Sequence, residues 1–337
     1  MKQKSNAPTM KDVAREAGVA LGTVSRVFNG IPVGDSYRLK VEEAAQRLGY
    51  RVNNYARGLK TNKTRTVALI LPNVYDPFFS ALAENVCRSL SRRGYRMLLT
   101  VTGSDPDAEQ QCIRMVEQNK VDGIIGLTYN PALEVDGQIP FVSIDRYFSP
   151  AVPCVSSDNF GGGQLAAEKL LDLGCRKLLF FRIGSGVSGE ADKRGAGFQS
   201  ACLTRQAEHT MLSLDDSEGH EPFRAFLREH ITGGRLDFDG IFCNTDRLAC
   251  HVADMLRELG ARVPEDVQLI GFDGARRFGI DGLFCSTIVQ PIPQIAETSV
   301  NILLEEDRSN LPSLICLPVS YAAGGTTRER NTGGKIV

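Results

Sequence analysis

The stretch from residue 9 to residue 30 constrains the fold more than any other part of the chain. Thr9 and, three residues later, Asp12 form a helix-capping signature ahead of an apolar-periodic run. Gly18 ends this first short helix, and only a tight turn fits before a second helix that begins at Leu21 and ends at about Phe28. Two short helices around such a turn predict a helix-turn-helix unit, whose second helix can enter the major groove of DNA. The spacing alone is equally typical of an ordinary αα-hairpin.

The charge of the chain is distributed unevenly. Residues 1–65 contain 13 Lys and Arg but only 5 Asp and Glu, a balance of +8, although the whole chain has 39 basic and 40 acidic residues. The remaining residues therefore carry 26 basic and 35 acidic side chains, a balance of −9. A basic N-terminal part on an acidic remainder predicts that only the first part binds a polyanion. This asymmetry favours the helix-turn-helix over the hairpin.

Two segments of the same stretch also carry a family resemblance. Met10-Lys-Asp-Val-Ala-Arg-Glu-Ala-Gly-Val and Thr23-Val-Ser-Arg-Val-Phe-Asn-Gly resemble the helix-turn-helix of the LacI/GalR family of bacterial transcription regulators, and the similarity continues through most of the chain. The resemblance implies a regulator that binds double-stranded operator DNA as a homodimer. It also implies an all-α N-terminal head followed by an α/β core of two lobes, of the type I periplasmic-binding-protein-like fold.

The second helix of the motif departs from the family at the positions that read DNA. Ala20 stands at the N-cap position where the family usually has a serine, and Leu21 and Gly22 stand at two positions that most often contact bases. Gly22 has no side chain, so base discrimination is expected from Leu21, against a thymine methyl group, and from Arg26. The predicted DNA-contacting residues of the head are Leu21, Gly22, Thr23, Ser25, Arg26 and Asn29.

Residues 50–65 are polar and basic with isolated apolar residues, a composition typical of a linker that cannot fold alone. The resemblance implies that this linker is the hinge, which becomes helical on operator DNA, and that Leu59 is the apolar wedge inserted into the minor groove. Judged without the resemblance, Leu59 would be a linker residue that packs on the next domain. The predicted DNA-contacting residues of the hinge are Tyr50, Asn53, Ala56 and Leu59.

From Thr66 onward, apolar runs typical of buried strands alternate with helical segments, and the alternation starts again at about residue 161. This pattern predicts two lobes, each a doubly wound parallel sheet. The resemblance implies three crossings between the lobes, near residues 158–161, 288–291 and 318–321. The predicted domains are a helix-turn-helix head (1–49), a hinge (50–65) and a core (66–337), in which lobe 1 comprises about 66–160 and 290–318 and lobe 2 about 161–289 and 319–330.

The sequence lacks the motifs of an enzyme. No phosphate-binding glycine loop, metal-ligand cluster or nucleophile elbow is present, and the four histidines stand in unrelated contexts. Three glycines at 161–163 open a helix, where they serve either close packing or the binding of a phosphate through backbone N–H groups. Nine cysteines without a Cys-x-x-Cys pair are typical of reduced, mostly buried thiols. We therefore predict no enzymatic activity, no cofactor and no metal.

Polar side chains stand where several predicted strands end, at the edge where open α/β sheets bind ligands. Asp145 and Asp273 are two of them, and Arg194 joins them because the family's ligand-gripping arginine occupies its motif. An arginine and a carboxylate that face each other suit vicinal hydroxyls or a carboxylate-bearing ligand. For each aspartate alone, a helix cap or an ion pair between the lobes is the alternative. The predicted ligand-binding residues are Tyr75, Asp76, Phe79, Asp145, Arg194, Asn244, Asp246, Asp273 and Gln290.

Together these features predict a cytoplasmic repressor whose operator affinity is set by a small ligand between the lobes. The N-terminus lacks the apolar segment of a signal peptide, and no apolar run is long enough to span a membrane. The family's ligands are mostly sugars and sugar phosphates, so carbohydrate is expected, with a purine as the alternative. The rival classes are a solute-binding module of sugar transport and a sugar-processing enzyme. Residues 328–337 show no apolar heptad of a helical bundle, so we expect a homodimer rather than a tetramer.

Overall fold

The computed structural model of the chain describes residues 8–50, 64–118, 120–130, 132–135, 137, 139–147, 149–233, 235–276 and 282–328. The predicted hinge residues Asn53, Ala56 and Leu59 lie outside these ranges, as do residues 329–337. The chain divides into two compact units, residues 1–64 and 65–337. Within the described ranges, no helix is long and apolar enough to cross a membrane.

Helices form the described part of the first unit, and helices alternate with strands in the second. In chain order the α-helices are α1 (Met10–Ala17), α2 (Leu21–Phe28), α3 (Asp35–Leu48), α4 (Pro77–Arg92), α5 (Pro106–Gln118), α6 (Asn159–Asp172), α7 (Lys193–Thr204), α8 (Glu221–Glu229), α9 (Asp246–Glu258) and α10 (Ile292–Leu304). The strands are β1 (Thr66–Leu71), β2 (Arg96–Val101), β3 (Gly123–Gly126), β4 (Phe141–Ile144), β5 (Cys154–Ser157), β6 (Lys177–Gly184), β7 (Glu208–Asp215), β8 (Ile231–Thr232), β9 (Arg235–Leu236), β10 (Gly240–Cys243), β11 (Gln268–Asp273), β12 (Ser286–Val289), β13 (Leu314–Leu317) and β14 (Ser320–Ala322).

The head forms around a small apolar core shared by α1, α2 and α3. Thr9 caps α1 as predicted, because its hydroxyl accepts the N–H of Asp12 while the Asp12 carboxylate accepts the N–H of Thr9. Gly18 ends α1 with a φ of 63°, a left-handed conformation that a residue without Cβ adopts without strain. Ala20 gives α2 no side-chain cap, and Val24 of α2 is fully buried. The predicted helix-turn-helix is therefore confirmed.

Two six-stranded sheets form the second unit. Sheet 1 has the order β13-β5-β4-β3-β1-β2 with parallel pairing throughout. Sheet 2 has the order β14-β12-β11-β10-β6-β7, and β14 alone is antiparallel to its neighbour in this sheet. Helices α4 and α10 pack on one face of sheet 1 and α5 on the other, while α6 and α7 cover one face of sheet 2 and α8 and α9 the other. The predicted fold of two doubly wound lobes is thus confirmed.

The chain passes three times between lobe 1, built on sheet 1, and lobe 2, built on sheet 2. The first passage joins β5 to α6, the second joins β12 to α10, and the third joins β13 to β14. Several of the polar side chains described below stand at the first two passages. A ligand that contacts them therefore acts where the lobes are connected.

Glycines bring α6 and α7 into backbone contact. A Cβ on Gly163 would lie 2.0 Å from the carbonyl oxygen of Arg194, and a Cβ on Gly197 would lie 1.9 Å from the carbonyl oxygen of Phe160. The N–H of Gly161 is already bound by the carboxylate of Asp158 at 2.8 Å. The glycines at 161–163 thus serve close packing, the first of the two roles considered, and the packing fixes the backbone that carries Arg194.

Gly197→Ala is expected to destabilise the core, because the added Cβ would overlap a backbone carbonyl that cannot move alone. Overpacking of this kind costs about 1–3 kcal/mol. Gln199→Ala, on the exposed side of the same helix, is the matched control and should be close to neutral. Thermal unfolding of the two variants measures the difference. A Gly197→Ala protein as stable as Gln199→Ala would show that α6 and α7 are not in backbone contact.

Candidate ligand cleft and DNA-binding surface

A cavity of about 490 Å³ lies between the two lobes, lined by residues at the carboxyl ends of strands in both sheets. Its volume is in the range that holds a small organic ligand. Parallel strands of both sheets end here, which is where open α/β sheets bind ligands. Eight of the nine predicted ligand-binding residues line the cavity: Tyr75, Asp76, Phe79, Asp145, Arg194, Asn244, Asp273 and Gln290.

A chain of hydrogen bonds connects the lobe 1 side of the cleft to Arg194. The Asp145 carboxylate accepts the hydroxyl of Ser156 at 2.7 Å, and the Ser156 oxygen accepts Nδ2 of Asn159 at 2.9 Å. Oδ1 of Asn159 in turn accepts Nε of Arg194 at 2.7 Å. All four side chains are buried, so little water competes for these hydrogen bonds. It spans the first passage between the lobes.

Arg194 is fixed on several sides by lobe 2. Its Nη1 donates to the carbonyl of Asn244 at 2.6 Å and lies 3.7 Å from the carboxylate of Asp273. The guanidinium carbon lies 3.7 Å from the ring centroid of Phe272. A planar cation held in this way is preorganised to donate hydrogen bonds to a ligand.

Gln290 extends the network to the second passage between the lobes. Its Nε2 donates to Oδ1 of Asp273 at 2.8 Å, and its Oε1 accepts the hydroxyl of Ser157 at 2.7 Å. Because Ser157 ends β5 and Gln290 follows β12, this amide joins two of the connections between the lobes. A ligand bound to Asp273 is therefore linked directly to the interlobe connections.

Burial dominates the protonation equilibria of the cleft. It raises the pKa of Asp145 and that of Asp273, and the Arg194 guanidinium lowers each pKa only in part. Burial also raises the pKa of Tyr129, another lining residue, to about 12, so that its hydroxyl remains a hydrogen-bond donor at neutral pH. The deep part of the cleft thus offers both donors and acceptors, which suits a ligand with several hydroxyl groups.

Asp246 does not line the cavity, in contrast to the prediction. Its Oδ2 accepts the N–H of Ala275 at 2.7 Å, and its Oδ1 accepts the thiol of Cys285 at 3.3 Å. The helix-cap alternative does not describe it either, because Thr245 caps α9. Asp246 instead braces the segment that follows Asp273 from behind the cleft wall.

Two of the predicted residues line the cavity while their side chains also serve local structure. Asp76 caps α4, since its Oδ1 accepts the N–H of Phe78 at 2.9 Å. The amide of Asn244 exchanges two hydrogen bonds with the backbone of Ile183, at 2.9 and 3.3 Å. Tyr75, by contrast, is 74% exposed at the mouth of the cleft. The helix-cap alternative therefore applies to Asp76.

The prediction also missed Arg146, which lines the cleft. Nη1 of Arg146, in lobe 1, donates across the cleft to the carbonyl of Val187 in lobe 2 at 2.7 Å. Arg182 lies 2.6 Å from the carboxylate of Asp192. Arg182 also lines the cavity, and its signal in the sequence is a basic residue between the apolar Phe181 and Ile183 of β6. Arg146 has no comparable signal.

The described part of the head presents one face of α2 to solvent. Leu21 is 41% exposed, and Arg26 is exposed with no side-chain hydrogen bond or ion pair to another described residue. Space around Gly22 is open, with nothing within 4 Å of a Cβ placed there. Nδ2 of Asn29 lies 3.3 Å from the hydroxyl of Ser25, one turn earlier. These side chains are accessible to a DNA groove.

Thr23, Ser25 and Tyr50 are less accessible than Leu21, Arg26 and Asn29. Thr23 is half-buried on α2, and the ring of Tyr50 packs on Phe28 with the ring centroids 5.4 Å apart. The Tyr50 ring therefore packs against the apolar core of the head.

The described residues offer no metal centre. No group of three or more His, Cys, Asp or Glu in these ranges is arranged to hold a metal ion. The nine cysteines form no disulfide in this structure, and six of them are buried, in agreement with the expectation of mostly buried thiols.

Comparison with known protein families assigns both parts of the chain. Residues 9–53 match the family of bacterial regulatory proteins of the lacI type, and residues 64–299 match the periplasmic binding proteins and sugar binding domain of the LacI family. The second match alone covers more than half of the chain. The protein therefore belongs to the LacI family, which consists of transcription regulators.

Individual relatives agree with this assignment. The sucrose operon repressor of Streptococcus mutans is 31% identical over 319 residues, which are 94% of this chain and 98% of that protein. A periplasmic binding protein/LacI transcriptional regulator from Alkaliphilus metalliredigens, solved with D-xylulofuranose, is 26% identical with a TM-score of 0.66, covering 79% of this chain and 100% of that one. The lac repressor dimer bound to operator shares the fold, with a TM-score of 0.79 at 21% identity over 96% of this chain and 99% of that one.

Proposed function

We propose that this regulator is a repressor whose head binds operator DNA and whose cleft binds a carbohydrate that changes operator affinity. The observation that carries the proposal is the buried network from Asp145 through Arg194 to Gln290, because it links ligand-binding groups to two passages between the lobes. A ligand shifts a conformational equilibrium only through contacts that differ between the two states. Contacts at these passages are expected to change when the lobes move relative to each other. A protein that binds the chromosome works in the cytoplasm.

Carbohydrate is the ligand class that the cleft chemistry supports best. Carboxylates, arginines and amides line the cleft, and the rings of Phe79 and of Tyr75, at the mouth, offer apolar surface. The hydroxyl groups of a sugar can bind these polar side chains, and the C–H face of its ring can pack on the two aromatic rings. The relative named as a sucrose operon repressor and the one solved with D-xylulofuranose also support a carbohydrate ligand.

The experiment starts with a thermal-shift screen of sucrose, ribose, D-xylulose, their phosphates and purines. A ligand that binds only the folded protein raises its melting temperature. DNA selected from a random pool by the full-length protein then serves in titrations with and without each hit. We expect a carbohydrate hit that changes operator affinity, and DNA binding that weakens steeply with salt. Stabilisation by purines alone would refute the proposal that the ligand is a carbohydrate. DNA binding that does not depend on salt would refute the proposal that the head binds operator DNA.

We expect two copies to associate through lobe 1. Leu99 and Val101 are 39% and 49% exposed on β2, the edge strand of sheet 1, and Met115 is exposed on α5 over the same sheet. Apolar side chains on a sheet edge are usually covered by another surface. Two heads related by a two-fold axis would require a roughly palindromic operator.

The double substitution Leu99→Asp with Val101→Asp is expected to produce a monomer, because it would bury charges in that interface. Leu203→Asp, at a leucine that is 63% exposed on α7 of lobe 2, is the control and should remain a dimer. Sedimentation velocity at micromolar concentration distinguishes the two. A double variant that still sediments as a dimer, or a wild type that sediments as a tetramer, contradicts this assignment.

A further inference from the structure

Four arginines among the described residues line the cavity, and three of them have partners within the protein. Arg146 donates to a carbonyl of lobe 2, Arg182 pairs with an aspartate, and Arg194 belongs to the buried network. Arg247 is the fourth, and its side chain makes no hydrogen bond or ion pair with any residue that the structure describes. A guanidinium that lines a cavity without a protein partner is available to an anionic ligand group.

The position of Arg247 on its helix indicates that this arginine does not serve to stabilise the fold. Arg247 is the second residue of α9, which Thr245 caps. The amino end of a helix carries partial positive charge, so a cation here is electrostatically unfavourable. Arg247 is also exposed, so its removal leaves no cavity in the core. Neither packing nor helix electrostatics therefore accounts for an arginine at this position.

A histidine lies beside Arg247 on the same wall of the cavity. Nε2 of His220 is buried and has no hydrogen-bond partner in the described part of the chain, and its ring lies 4.4 Å from that of His251. Burial, followed by the charges of His251 and Arg247, lowers the pKa of His220, while Asp216 acts in the opposite direction. A neutral imidazole ring with its proton on Nε2 can donate a hydrogen bond to an anionic oxygen.

We infer that Arg247 and His220 form a subsite for the anionic group of a sugar phosphate or sugar acid, whose hydroxyls bind deeper in the cleft around Arg194 and Asp273. The inference rests on the proposed function of the cleft and narrows its ligand to an acidic derivative. Asp216 also lines this side of the cavity. Its carboxylate would repel an anionic group of the ligand, so Asp216→Asn should strengthen binding of the acidic ligand.

The test compares neutral sugars with their acidic derivatives by calorimetry on the full-length protein at constant ionic strength. The pairs are ribose with ribose 5-phosphate, fructose with fructose 6-phosphate, and glucose with glucose 6-phosphate and with glucuronate, which separates phosphate from carboxylate. At least one acidic member should bind 10-fold or more tightly than its parent, by the usual strength of charge-assisted hydrogen bonds. Arg247→Gln should remove that advantage and leave the parent's affinity within about twofold. Arg228→Gln, an exposed arginine of α8 outside the cavity lining, removes the same charge and should change neither affinity.

Two results overturn the subsite: acidic members that bind no tighter than their parents, or an advantage that persists in Arg247→Gln. If a neutral sugar still changes operator affinity in either case, the proposed function stands and the anion subsite alone fails. If no sugar binds, the subsite is tested with inorganic phosphate in a thermal-shift measurement. It should then raise the melting temperature of the wild type more than that of Arg247→Gln at matched ionic strength, and equal shifts would overturn the subsite.

Discussion

Arg26→Ala should strongly reduce discrimination between operator and random DNA while the head remains folded. Arg26 lies exposed on α2 without a side-chain partner among the described residues, so it is free to bind a base edge. A bidentate contact from arginine to guanine is worth about 1–3 kcal/mol of discrimination. Gly22 contributes no side chain to the same face, so few other groups can compensate for the loss.

Titration of labelled operator and of random DNA at one salt concentration measures the effect of Arg26→Ala. Arg38→Ala is the matched control, since Arg38 is an exposed arginine of α3 that pairs with Asp35. Loss of a charge that meets only phosphate weakens binding to both DNAs equally. If Arg26→Ala retains the wild-type preference for operator, α2 does not dock in the way we propose.

Arg194→Ala and Asp273→Asn should each uncouple the ligand from DNA binding. Both side chains are buried in the network between the lobes, whereas the predicted DNA-contacting residues belong to the separate N-terminal unit. Operator affinity without ligand should therefore stay close to that of the wild type. The ligand-dependent change should disappear, a loss of about 1–3 kcal/mol of coupling, the usual range for linked sites.

Asp246→Asn is the control for Asp273→Asn. Both residues are buried aspartates of lobe 2, but Asp246 faces the N–H of Ala275 and the thiol of Cys285 instead of the cleft. We expect Asp246→Asn to lose stability and to keep the ligand response. Operator titrations with and without ligand, together with thermal unfolding, separate the two effects. A normal response in both Arg194→Ala and Asp273→Asn would place the effector site elsewhere.

The sequence predicts the elements whose signals are local. The capping pair of Thr9 and Asp12, the glycine that ends α1 and the alternation of strands with helices are all patterns within a few residues. Strand β5 was not identified, because its Cys-Val-Ser-Ser sequence is half polar although it is fully buried. Its serines are satisfied by Asp145 and by Gln290, which is 133 residues away from its partner Ser157. Such a pairing has no local signature.

The cleft shows the same limit of sequence reasoning. Asp246 and Asp273 both stand near strand ends, and only the packing of α9 decides that one braces the wall while the other lines the cavity. His220 and His251 appear unrelated in the sequence, yet they meet because α9 packs beside the start of α8. A residue's position at a strand end can be predicted, but the direction of its side chain depends on neighbours that are distant in the chain.

Reciprocal linkage shows whether a ligand in the cleft controls DNA binding by the head. Operator affinity would be measured with and without saturating ligand, and ligand affinity with and without saturating operator, using the carbohydrate that the thermal-shift screen identifies. If the cleft controls the head, saturating ligand changes operator affinity, and saturating operator changes ligand affinity by the same ratio, because coupling between two binding sites is reciprocal. We predict equal ratios of about 5- to 150-fold. A ligand that binds the wild type and leaves operator affinity unchanged would contradict control of the head by the cleft.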